Sequence, residues 1–229
     1  MPSITAAPSY YNNPYRKYMD NADPGVLLIL ARHGSTESND ASIPLVRGWH
    51  DIDLDDNGKI QAQLLGHKMR QYDPKKVVSS DFLRDQSTAN ILASIINTND
   101  VEVDSNLRTW DVGDFGGKPL IEANPVIAEM YKNPSRKPPG SGETFNEFTD
   151  RFTSALSRYL TMSSIDIYRP LLLVTHGKNI ALAFTYINGG NTWDAIMPGP
   201  SGYAIISVNQ DRSLSIEMSQ PIEDVIEDV

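Results

Sequence analysis

Two uninterrupted apolar runs, residues 26–31 (Val-Leu-Leu-Ile-Leu-Ala) and 171–175 (Leu-Leu-Leu-Val-Thr), constrain the fold more than any other feature of the chain. Each has the length of a strand, and neither alternates apolar with polar residues. A strand with one wet face alternates; a strand covered on both faces does not. Two such strands require helices on both sides of a sheet. Each run ends in a His-Gly pair, Arg32-His33-Gly34 after the first and His176-Gly177 after the second. Open α/β sheets bind ligands just beyond the carboxyl ends of their strands. Two histidines at that edge, one with an arginine beside it, point to a shared site for an anion and a nucleophile.

The remaining pattern supplies the other strands and their cover. A loop over 34–56, carrying Pro44 and Gly48, leads to a helix over 57–71 with Ile60, Leu64, Leu65 and Met69 on one stripe. A short strand over 77–79 precedes a helix over 83–96, and a third strand covers 101–103. The glycine-rich, aromatic stretch 107–119 reads as loop, and 121–132 as helix. The run 133–142, rich in Pro, Gly and Ser, breaks the pattern before a long helix that starts at Ser141 or Thr144 and reaches about Thr161. A helix over 179–187 follows the second apolar run. Strands over 203–208 and 214–218 close the pattern, separated by a turn at Asp211-Arg212-Ser213. The alternation predicts an α/β fold, a three-layer α/β/α sandwich on a mostly parallel central sheet. One catalytic domain, 26–220, is expected between an extension of residues 1–25, rich in Pro, Asn and Tyr, and an acidic tail over 221–229.

Composition narrows the partners. A net charge of −9 opposes binding to nucleic acid or anionic membranes. An anionic substrate must therefore be held by cations gathered locally. No apolar stretch is long enough to span a bilayer and no signal-peptide pattern opens the chain, so a cytoplasmic protein is expected. The absence of cysteine removes disulfides and thiolate metal sites. No metal or cofactor is called for. Oligomeric state stays open, with a homodimer the assembly considered.

The stretch Leu30-Ala31-Arg32-His33-Gly34-Ser35-Thr36-Glu37-Ser38-Asn39 resembles the Arg-His-Gly-x-Thr-x-x-Asn opening of the histidine phosphatase superfamily, which includes the cofactor-dependent phosphoglycerate mutases. Four further blocks follow in that family's order. Val46-Arg47-Gly48-Trp49-His50-Asp51-Ile52-Asp53-Leu54, with Asn57-Gly58 and Gln61-Ala62, is similar to its Gly-Trp-x-Asp-x-Pro-Leu, Gly and Gln-Ala series. Ser80-Asp81-Phe82-Leu83-Arg84 with Thr88-Ala89 is similar to the segment bearing a second arginine. Gly142-Glu143-Thr144-Phe145 with Arg151 is similar to a Gly-Glu-Ser helix start, and Val174-Thr175-His176-Gly177 to the segment of the second histidine. The resemblance implies a phosphoglycerate mutase-like fold and a phosphatase that forms a phosphohistidine on His33. It implies a phosphate pocket of Arg32, Asn39, Arg84 and His176, with Arg47 and Gly48 lining the entrance. His50 and His67, away from strand ends, read as structural or surface residues.

That chemistry is coherent on physical grounds. A neutral imidazole can attack phosphorus in line and split one difficult displacement into two. Phosphoryl transfer spreads charge over three equatorial oxygens, so positioning and electrostatics dominate. The planar forks of Arg32 and Arg84 grip phosphoryl oxygens as lysine does not. Asn39 adds a neutral donor, and His176, protonated beside the dianion, a charged one.

The pattern departs from the family in three places. The usual proton-donating glutamate of Leu-x-Glu-x-x-x-Gly is Thr109 in Leu107-Arg108-Thr109-Trp110-Asp111-Val112-Gly113. Asp111 is the alternative donor, unless the leaving group needs no proton or turnover is weak. The arginine- and proline-bearing insertion of the mutases is reduced to 132–142, which favours a phosphatase over the alternative mutase. Ser87 replaces the glutamine of Arg-x-x-Gln-Thr-Ala, a change read as packing. Lys132, Arg136 and Lys137 read as a solvated loop. A phospho-ligand binding protein with weak or no turnover is the reading from another class.

Overall fold

Why the two apolar runs lack alternation is visible in the computed structural model, which describes residues 25–40, 44–164, 169–189 and 197–219. The elements run β1 (Gly25–Arg32), α1 (Glu37–Asp40), α2 (Asp56–Met69), β2 (Lys76–Ser79), α3 (Leu83–Ile96), β3 (Val101–Val103), α4 (Leu120–Lys132), α5 (Phe145–Ser164), β4 (Leu171–Thr175), α6 (Gly177–Asn188), β5 (Tyr203–Val208) and β6 (Leu214–Ser219). The strands form one sheet of order β3-β2-β4-β1-β5-β6. β1, β2, β3 and β4 are parallel, while β5 and β6 pair antiparallel at one side.

β1 and β4 are the middle of this sheet and are covered on both faces. Leu28 and Leu30 pack with Phe148, Phe152 and Leu156 of α5 and Ile180 of α6. Ile29 and Ala31, pointing the other way, pack with Leu65 and Met69 of α2 and Ala89 and Leu92 of α3. A period of two on a doubly covered strand leaves no position for a polar side chain. Each fully buried Leu or Ile contributes about 1.5–3 kcal/mol. The three-layer, mostly parallel architecture expected from the sequence is the one observed.

Most element boundaries move by a residue or two, each for a local reason. The helix expected over 57–71 ends at Met69, tightens into a 3₁₀ turn Arg70–Tyr72 and stops at Asp73, in the left-handed region at φ 44°. α5 starts after Thr144 because a capping box forms there. Thr144 Oγ1 accepts the Glu147 N–H at 3.1 Å, and Glu147 Oε2 accepts the Thr144 N–H at 2.7 Å. α6 begins at Gly177, two residues earlier than expected, with His176 extended at its N-cap. The loop 34–56 contains the single turn α1, too short to carry a periodicity. Residues 1–24 of the extension, and the acidic tail, lie outside the described residues. Among the described residues no helix is long and apolar enough to cross a membrane.

Register delivers the site. Arg32 pairs with Thr175, so β1 and β4 end flush and the next residues are His33 and His176. The His33 N–H donates to the Thr175 carbonyl at 3.0 Å. Ser79 of β2 pairs with Val174, which brings Ser80 to the same edge.

The turn after β1 lies against the first turn of α2. A Cβ on Gly58 would meet the Ser35 carbonyl oxygen at 2.1 Å, and one on Gly34 the Gly58 oxygen at 2.3 Å. Asp55 caps α2, accepting the Gly58 N–H at 2.6 Å and the Ser35 hydroxyl at 2.7 Å. In an open helix Gly→Ala stabilises by about 0.5–1 kcal/mol. Here the clash is with backbone, where overpacking costs about 1–3 kcal/mol or more. Gly58→Ala is therefore expected to lower Tm by about 2–10 °C in a thermal melt. A raised Tm would show that the contact yields.

Candidate active site

His33 sits at the end of β1, 2% exposed. Its Nδ1 lies 2.7 Å from the Gly34 carbonyl oxygen. A carbonyl can only accept, so Nδ1 carries the proton and the lone pair is on Nε2. Burial first, then Arg84, Arg47, His176 and Arg32, hold the imidazole well below its ordinary range. The ring is therefore neutral, the form in which Nε2 is a nucleophile. The Gly34 N–H donates to Thr88 Oγ1 at 3.1 Å, which ties the turn to α3.

Three guanidinium groups surround this ring. Arg32, the last residue of β1, donates from Nη1 to the Pro198 carbonyl at 2.6 Å. Arg84, on the first turn of α3, is 1% exposed and donates to the carbonyls of His50 at 3.0 Å and Gly48 at 3.3 Å. Arg47 is turned inward by Asn39, whose Oδ1 accepts from it at 2.7 Å. Asn39 Oδ1 also accepts the Thr36 N–H at 3.0 Å, so the amide organises the loop. Burial, then Arg47 and Arg84, bring Arg32 down to about 9; burial and Arg84 bring Arg47 down to about 10. Crowded cations without an anion between them raise one another's energy, and a bound dianion relieves it.

His176 completes the cluster at the end of β4. Its ring centroid is 5.3 Å from that of His33, edge to face, and 5.7 Å from the Phe82 ring. Its Nε2 lies 3.4 Å from Ser80 Oγ and 3.3 Å from Asp85 Oδ2. Asp85 is fully buried beside Arg84, and sequence reasoning did not single it out. An acid in the first turn of a helix ordinarily complements the helix dipole, and nothing in its spacing shows that it faces inward.

The loop carrying Thr109 and Asp111 is pinned over this edge by Arg151. Its Nη1 donates to the carbonyls of Asn106 at 2.9 Å and Arg108 at 3.0 Å, and its Nη2 to that of Thr109 at 3.2 Å. Glu143 pairs with the same guanidinium at 2.5 Å and accepts the Asp111 N–H at 3.1 Å. The Gly-Glu-Thr block and Arg151 are thus one device for holding a loop. Asp111 Oδ1 accepts the Gly113 N–H at 3.0 Å, a turn-forming contact. Gly48, at φ +48°, makes the turn whose carbonyl receives Arg84. Arg32, His33, Arg84, His176 and Arg47 are brought together; Lys132 and Lys137 instead pair with Glu129 and Glu147 at the surface.

Comparison with known proteins gives the family and the fold. The family model described as the histidine phosphatase superfamily (branch 1) matches residues 28–214. The chain is similar to phosphoglycerate mutase-like protein 4 of Arabidopsis thaliana, 31% identical over 156 residues that make up 66% of each chain. It is similar to a broad-specificity phosphatase of Saccharomyces cerevisiae, 29% identical over 185 residues, 78% of this chain and 76% of that one. In fold it is similar to phosphoglycerate mutase from Bacillus anthracis, with a TM-score of 0.73 and 19% identity over 87% of this chain and 94% of that one.

Proposed function

Because the chain belongs to branch 1 of the histidine phosphatase superfamily, we propose that it is a phosphatase acting on a small phosphate monoester through a phosphohistidine on His33. Nε2 of His33 attacks phosphorus as the ester oxygen leaves, and water then releases phosphate from the imidazole. Arg32 and Arg84 hold the equatorial oxygens and His176 meets the leaving-group side, with Asn39 and Arg47 at the side of the pocket. Guanidinium and imidazole donors supply the charge stabilisation, so the reading assigns no metal. The cysteine-free composition fits a cytoplasmic location.

One observation carries this reading. One buried and two half-buried guanidiniums, with two buried imidazoles, gather at one sheet edge of a protein whose net charge is −9. Holding those cations together costs stability unless an anion joins them. Inorganic phosphate or vanadate should therefore stabilise the fold by about 2.7 kcal/mol at a hundred times Kd, which raises Tm by about 5–10 °C for a chain of this size. No shift with either oxyanion would sink the proposal.

Thr109 favours a second reading, a phospho-ligand binding protein without turnover. p-Nitrophenyl phosphate separates the two, because its leaving group needs little protonation. Saturable hydrolysis supports the enzyme; binding without hydrolysis supports the other.

A further inference from the structure

The phosphatase reading leaves one chemical requirement unmet, since an alkoxide leaves slowly without a proton and Thr109 has none to give. Asp85 is the buried carboxyl against the pocket. It is completely inaccessible, and its Oδ2 lies 3.3 Å from His176 Nε2 and 3.9 Å from Arg84 Nε. Neither of its oxygens has a hydrogen bond of good geometry among the described residues. A carboxylate left in that state costs several kcal/mol; a shared proton removes the cost. Resting on the phosphatase reading, we propose that Asp85 and His176 form a proton relay that gives the leaving group its proton and recovers one from water. Asp85 acts through His176 and is a positioning residue and proton store; His176 is the group that meets the substrate.

The proton count supports the relay. Burial pushes the Asp85 carboxyl well above its ordinary range, with Asp51 and Asp81 acting the same way and Arg84 and Arg47 opposing. Burial, followed by Arg84, Arg47, Arg32 and Arg151, pushes the His176 imidazole well below its own. In the relay the pair shares one proton, resting on Asp85 before substrate arrives. If it stays there, the carboxyl donates to Nε2 and Nδ1 bears the imidazole N–H. If a phosphoryl dianion draws it to Nε2, the ring is an imidazolium and Nδ1 still bears hydrogen. Either way the relay has His176 present Nδ1–H to the substrate.

The steps balance. In the first, the P–N bond to His33 forms and the P–O bond breaks. The ester oxygen takes the proton of His176 Nδ1, and Nε2 takes the proton of Asp85. The products are the alcohol, phosphohistidine, neutral His176 and the Asp85 carboxylate. In the second, water attacks phosphorus and the P–N bond breaks. The water proton goes to Nδ1, and the Nε2 proton returns to Asp85. No other acid or base is consumed.

The test compares kcat for glycerol 2-phosphate, an alkyl ester, with kcat for p-nitrophenyl phosphate on the full chain. Asp85→Asn keeps the shape but cannot exchange the proton. It should lower the alkyl-to-aryl ratio about 10²-fold or more, in line with loss of a general acid. An equal loss on both substrates, an unmoved ratio, or no alkyl turnover in the unmodified protein would overturn the relay. Asp111→Asn serves as the second variant, and decides alone if Asp85→Asn does not fold. A ratio it leaves in place supports the relay; a ratio it collapses moves the acid to Asp111 and overturns it. Aryl hydrolysis that depends on His33 upholds the phosphatase reading whichever way the ratio falls.

Discussion

His33→Ala is expected to reduce hydrolysis of p-nitrophenyl phosphate by on the order of 10⁴–10⁶-fold, the scale seen when a nucleophile is removed. The whole loss should lie in kcat. The guanidiniums that hold the phosphoryl group are anchored elsewhere, Arg84 on the carbonyls of His50 and Gly48 and Arg32 on that of Pro198. KM and the affinity for vanadate should therefore change little. The aryl ester matters because it tests the nucleophile without testing proton delivery. An alkaline denaturing quench with radioactive substrate should trap label on the unmodified protein and none on the variant. Undiminished hydrolysis in His33→Ala would end the phosphohistidine interpretation.

Arg84→Ala should have the next largest effect, on activity and stability together. The guanidinium is buried, packs 4.6 Å from the centroid of the Phe82 ring and faces Asp85. Breaking a buried pair from one side costs about 3–5 kcal/mol. The lower end applies here, because Asp85 holding a proton is not left as a bare charge. Losing one preorganised donor to the phosphoryl oxygens should lower kcat about 10²–10³-fold. Arg84→Lys should recover little, since an ammonium cannot grip two oxygens and two carbonyls at once. The pH dependence follows in sign. Asp85 is already raised above an ordinary carboxyl, and removing Arg84 raises it further. The folded variant then binds a proton that the unfolded chain gives up. Its stability deficit should be constant while both proteins hold that proton and grow as pH rises past the point where the unmodified Asp85 releases it. A deficit that stays flat through the alkaline range would mean that Asp85 does not respond to Arg84.

The sequence made the sheet legible because burial on two faces leaves a signature that no other element shares at that length. It made the edge legible because His33 and His176 each follow such a run directly, and flush register does the rest. Arg84 was readable only through its block, since an arginine on a helix is usually solvated. Arg47 was placed at the entrance, whereas Asn39 and Thr36 draw it inward; that path runs through a one-turn helix with no period to read. Asp85 was invisible for a different reason. Its meaning depends on which way one residue of a first helical turn faces, and that is set by the packing of α3 on the sheet. Arg151 shows the same limit, because its carbonyl partners lie more than forty residues away.

The flush ends of β1 and β4 also decide the order in which the molecule would come apart. Both imidazoles continue from the innermost strands, whose amides are expected to exchange with solvent only when the whole domain opens, whereas the loop that Arg151 pins rests on a handful of hydrogen bonds. Warming or mild denaturant would then loosen that loop before it touches the reacting groups.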